Sequence, residues 1–250
     1  MVHLKRGIAL AGAMGLVVIL LTLAISRLGR MIEPVIHPVP NTAAAPVILD
    51  AGHGGEDGGA VSITGVPESQ INLEIVQKLR DILALCGADP VLLREEDISL
   101  HDAGASTLRE KKRSDLQNRV AAVEAVDGAT LISIHQNTYP SSKYHGAQVF
   151  YAPTEGSQAL AEHFQAALRD QLQPDNERAA KKIPDSVYLM NHITCPAILV
   201  ECGFLTNPGE EAMLRDQGYQ RQLAMVLAGA WLSGQERGEA DLQPAENLLQ

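Results

Sequence analysis

Five short apolar runs rich in β-formers recur along the chain, VILD (47–50), PVLLR (90–94), TLISIH (130–135), AQVFY (147–151) and AILVE (197–201). Most are separated by stretches of helical periodicity. Ser69 to Cys86 sets Ile71, Ile75, Leu79 and Ile82 on one stripe, and Asp115–Val126, Ser157–Leu172 and Gly218–Leu232 read in the same way. Strands that are apolar on both faces, alternating with amphipathic helices, specify an α/β domain around a mainly parallel sheet. Ligands of such sheets bind beyond the carboxyl ends of the strands.

The 250 residues are 46% hydrophobic and 20% charged, which suits one sizeable domain with appendages rather than a disordered chain. Lys5 and Arg6 precede an uncharged apolar run from Gly7 to Ile25, closed by Arg27 and Arg30. Its length is near the ~20 residues that span a bilayer, so residues 1–30 read as a signal anchor, or as a signal peptide cut after Ser26. Either reading puts the rest of the chain outside the cytoplasm. The proline-rich stretch 31–45 reads as a linker, 46–234 as the main folded domain, and 235–250 as a polar, frayed tail.

The first thirty residues carry four of the 20 basic residues and none of the 30 acidic ones, so the remainder has a net charge of −14. That balance argues against a nucleic-acid partner. Two basic clusters, REKKR (109–113) and RAAKK (178–182), stand out, and the long loop expected from Glu95 to Ser114 could join RAAKK in lining a cleft or docking a regulator. Of three cysteines, Cys86 and Cys202 read as buried free thiols, and Cys195 lies too far from Cys202 along an extended strand for a bridge.

His53 follows the carboxyl end of the first strand in the glycine loop AGHGGEDGGA. His135 ends LISIH and Glu201 ends AILVE, so all three reach one rim. Glu68 continues the buried helical stripe into its first turn, at the helix end nearest that rim, where the helix dipole favours a carboxylate. Two histidines and a glutamate make a hydrolytic zinc set with one position left for water, and a further glutamate can act as general base. Spacing alone leaves open which glutamate is ligand and which is base.

VILDAGHGGEDGGA, PESQINLEI, LLREED, LISIHQN and PAILVECGFLTNPGEE, in this order, resemble the zinc-dependent N-acetylmuramoyl-L-alanine amidases of bacterial cell walls, over residues 46–233. Ala51 and Thr138 stand where the family usually has proline and alanine. The resemblance implies a twisted six-stranded sheet with helices on both sides, and cleavage of the amide between the lactyl group of muramic acid and L-alanine in peptidoglycan. It assigns Zn2+ to His53, Glu68 and His135, and the catalytic carboxylate to Glu201. QNTYPSSKYHGAQVFY looks most like the spore-cortex branch.

The alternatives are another zinc hydrolase of the wall, either a stem-peptide peptidase or a deacetylase, and a non-catalytic wall-binding module. His192, His101, His145 and His163 have no comparable case as ligands, and Cys202 reads as structural. Some relatives cover their zinc with an inserted helix. Here Ser157–Leu172 reads as the crossover between AQVFY and AILVE taken as parallel strands, and Gln173 to Pro196 has no second amphipathic period. An open site is therefore expected.

Overall fold

The structure is a computed structural model that describes residues 45–242, with side chains described to residue 235. The segment read as a membrane anchor or signal and nearly all of the expected linker lie outside the described residues, as does the end of the expected tail. No described helix is long and apolar enough to cross a membrane.

Six strands form one sheet: β1 (Val47–Ala51), β2 (Val91–Leu92), β3 (Thr130–Asn137), β4 (Gln148–Tyr151), β5 (Lys181–Lys182) and β6 (Ala197–Phe204), in the order β2-β1-β3-β6-β4-β5. The pairs β1/β2, β1/β3, β3/β6 and β4/β5 are parallel and β4/β6 is antiparallel. The helices are α1 (Glu68–Leu85), α2 (Leu108–Glu124), α3 (Ser157–Gln171), α4 (Tyr188–His192), α5 (Pro208–Arg215) and α6 (Gln217–Leu242).

Alternation along the strands separates two cores. Val47, Leu49, Ile132, Ile134, Ile198, Val200 and Cys202 face α1, α3 and α6, with Ile75, Phe164 and Leu227 among the residues meeting them. Ile48, Leu131, Ala197 and Leu199 face the other way, towards Val123 of α2 and Leu189 and Met190 of α4. The buried stripe of α1 runs Glu68, Ile71, Ile75, Leu79 and Leu83, steps of three and four that keep one helical face on the sheet. Because the period of a strand is two, Asp50, Ser133, His135 and Glu201 all belong to the α2 side, while Cys202 turns into the opposite core.

Several expectations need correction. AQVFY is not parallel to AILVE: β4 pairs antiparallel with β6, and α3 is the crossover to β5, a two-residue edge strand within RAAKK. The loop after PVLLR is shorter than expected, because α2 begins at Leu108. Thr107 caps it in a reciprocal box, accepting from the Glu110 amide while Glu110 accepts from the Thr107 amide. Cys86 is exposed, since it lies just past the end of α1, whereas Cys202 is buried in the core. Helix α6 continues to Leu242, into the segment read as a tail.

Candidate active site

The loop after β1 is shaped by close approach. Gly52 donates its N–H to the Ile134 carbonyl at 3.0 Å, and a Cβ there would overlap the His135 ring. A Cβ on Gly59 would come within 2.6 Å of both Glu68 Oε2 and the His53 ring. Glycine at these two positions lets backbone pack directly against both imidazoles. His53 itself has φ +62°, the one non-glycine with positive φ among the described residues. That left-handed backbone aims its ring inward.

Two buried arginines hold the same loop. Arg94 donates from Nε to the Ala51 carbonyl at 2.8 Å, and from Nη2 to the carbonyls of Gly52 (3.1 Å) and Ser69 (2.8 Å), joining the loop to the first turn of α1. Arg119 of α2 donates to the His53 carbonyl at 2.7 Å and pairs with Asp50 and Asp115. Neither arginine carries a role in the sequence pattern. The available signal was a charged residue closing an otherwise apolar strand in PVLLR, and an arginine four residues after Asp115.

His53, Glu68 and His135 come together, and Glu201 stands beside His135. Glu68 is only 3% exposed; its Oε1 lies 3.0 Å from His135 Nδ1 and its Oε2 3.4 Å from His53 Nε2. One ligand atom from each of these three residues lies within 4.8 Å of the others. In a tetrahedral site with donors near 2.0 Å from the ion, neighbouring donors stand about 3.3 Å apart, so the donor set and its spacing fit a zinc-sized ion. Burial raises the Glu68 carboxyl, but the His135 hydrogen bond and charge, the nearby His53 and the Ala60 amide outweigh it and hold it at about 2. Glu68 is thus an anion. Asn72 donates to it at 3.2 Å and the Gln136 amide at 3.1 Å, which fixes its rotamer.

Glu201 is the register partner of His135 across β3 and β6. Its Oε2 is buried without a hydrogen-bond partner. Burial pushes this carboxyl up to about 7, with His135 opposing and the Glu68 charge adding to the rise. A buried acceptor that nothing in the protein satisfies, beside two imidazoles and a carboxylate, has the chemistry to accept a proton from a bound ligand.

Other sequence candidates lie elsewhere. His192 ends α4 and bonds the Tyr188 carbonyl, and His163 ties α3 to Ala230 and Ser233 of α6. The two basic clusters do not come together: Lys111 and Lys112 pair with Glu56 and Asp57 of the loop after β1, whereas Lys181 and Lys182 form the far edge strand. The side chains of His53 and His135 are 21% and 19% exposed, so the site is reachable.

Residues 47–230 match the family Amidase_3, N-acetylmuramoyl-L-alanine amidase. The chain belongs to this family. As an Amidase_3 member it is a hydrolytic enzyme of the N-acetylmuramoyl-L-alanine amidase class. It is 38% identical over 182 residues to the germination-specific N-acetylmuramoyl-L-alanine amidase of Bacillus subtilis (strain 168), covering 72% of this chain and 76% of that protein. Among solved structures, the CwlD amidase from Clostridioides difficile in complex with the GerS lipoprotein superposes with TM-score 0.73 at 34% identity, covering 78% of this chain and 99% of that one. The amidase AmiC2 of Nostoc punctiforme gives TM-score 0.66 at 28% identity, covering 78% and 98%. The six-stranded α/β fold is that of the family.

Proposed function

We propose that this amidase is zinc-dependent and hydrolyses the amide between the lactyl group of N-acetylmuramic acid and the L-alanine of the stem peptide in peptidoglycan. The observation that carries the reading is the group His53, Glu68 and His135, whose donor atoms lie within 4.8 Å of one another beside the unsatisfied Glu201 carboxylate.

In this reading the two imidazoles and Glu68 are the zinc ligands. A zinc ion in such a site lowers the pKa of water to about 7 and polarises a carbonyl. Glu201 takes the proton from the attacking water and returns it to the amide nitrogen as L-alanine leaves with a free amine. The buried Oε2 of Glu201 has no partner within the protein, so it is free to hold that proton and pass it on. Arg94 and Arg119 hold the loop carbonyls and keep the imidazoles oriented before substrate arrives.

The apolar segment 7–25 with its basic flanks supports action outside the cytoplasm, with the chain anchored or exported. The similarity to a germination-specific amidase, and to one solved with a lipoprotein, supports a role on spore peptidoglycan with an extracytoplasmic protein partner.

The test of zinc dependence uses a soluble muramoyl-L-alanyl peptide. Chelator-treated protein is expected to be inactive and to recover with one equivalent of Zn2+. Full turnover by protein shown to be metal-free would overturn the proposal.

A further inference from the structure

The His53 ring presents opposite edges to two carboxylates. Nε2 faces Glu68 inside the ligand group, and Nδ1 faces Asp57 outside it, with Asp57 Oδ2 at 3.2 Å. An imidazole that gives the Nε2 lone pair to a metal carries its proton on Nδ1, and the group that accepts this proton sets both the tautomer and the ring orientation.

We propose that Asp57 is a positioning residue for the metal, which accepts the Nδ1 proton of His53 and is itself anchored by Lys112 of α2. The proposal rests on the reading that His53 is a ligand.

Asp57 is built into place. Its Oδ1 accepts the Gly59 amide at 3.3 Å, and Lys112 Nζ lies 3.2 Å from its Oδ2. Its backbone exchanges hydrogen bonds with Gly54 in both directions, at 2.8 and 3.3 Å. The arrangement is also one-sided. His135 turns Nδ1 to Glu68, and among the described residues no second carboxylate bonds its ring. The brace belongs to the histidine whose backbone is left-handed and which is flanked by Gly52, Gly54 and Gly55, where a free ring would have most freedom.

The test measures Zn2+ affinity of the metal-stripped full-length chain by competition with a chromophoric chelator, alongside the melting temperature of the metal-free protein. Outer partners of this kind are worth about 10–100-fold in metal affinity, and Asp57→Asn and Asp57→Ala are expected to lose that much. Their metal-free melting temperatures should stay at the parental value. Lys112→Met should weaken Zn2+ binding by a smaller factor; this lysine is 57% exposed, so its replacement leaves the fold intact even if the Asp57 variants do not fold. Parental affinity in Asp57→Asn, or in Lys112→Met where the Asp57 variants fail to fold, overturns the proposal. So does a loss confined to the metal-free melting temperature, which marks a purely structural residue. His53→Ala separates the two readings. If it binds Zn2+ as the parent does, the ligand assignment fails; if it does not bind while Asp57→Asn does so normally, only the brace fails.

Discussion

His135 and Glu201 stand directly opposite each other on neighbouring parallel strands, in the last paired positions before the register between β3 and β6 shifts. Parallel strands lie about 4.8 Å apart, so one ladder rung delivers an imidazole and a free carboxylate to the same rim. In the proposed mechanism this puts the base beside a ligand without any loop to position it. Glu201→Gln keeps the shape and removes the base. Turnover should fall by roughly 10²–10⁴ with zinc content unchanged, read by steady-state kinetics and metal analysis on the same preparation. Loss of zinc in this variant would exchange the roles of Glu68 and Glu201.

Gly52→Ala tests the close approach of backbone and ring. The added methyl would overlap the His135 imidazole, so the ring whose Nδ1 meets Glu68 must shift to make room. Zinc affinity should drop by at least the ~10-fold seen when an orienting partner is lost. Chelator competition reads this out, and parental affinity would show that the loop has room to yield.

Arg119→Met addresses the buried pair behind the site. Arg119 and Asp50 are both almost fully buried, and removing one member of such a pair costs about 3–5 kcal/mol because the other is left uncompensated. Burial raises the Asp50 carboxyl, but Arg119, His135 and Ser133 together bring it below the ordinary 3.8. Its contribution to stability is therefore fully present above that value and is lost as the pH falls through the lower, folded-state one. Urea denaturation at pH 7 should show the full loss in Arg119→Met. The wild type should lose this share of its stability only below about pH 4, and a variant as stable as the parent at pH 7 would contradict the account.

Much of the site was legible because it lies where periodic elements end. VILD, LISIH and AILVE are apolar runs whose last residues must emerge at one rim, and Glu68 sits on the stripe of α1 that has to face the sheet. The elements that escaped carry little periodic signal. Strand β5 is only the exposed pair Lys181–Lys182, which no hydrophobic pattern marks. The direction of β4 depends on how its ends connect in space, and its four residues are equally compatible with either direction. The start of α2 was readable in principle from the Thr107–Glu110 capping box, but its first two turns are so rich in charge that they resemble a loop. Arg94, Arg119 and Asp57 act on backbone carbonyls and on a ring edge, relations that only the folded chain brings together.

The most direct test of the central claim is mass analysis of purified sacculi digested with the zinc-loaded enzyme. The account predicts free stem peptides that begin with L-alanine, released from glycan strands that stay intact, and no such release by Glu201→Gln. Peptides cut at an internal bond, glycan shortened or deacetylated with its stems still attached, or no product from a fully metallated enzyme would contradict it.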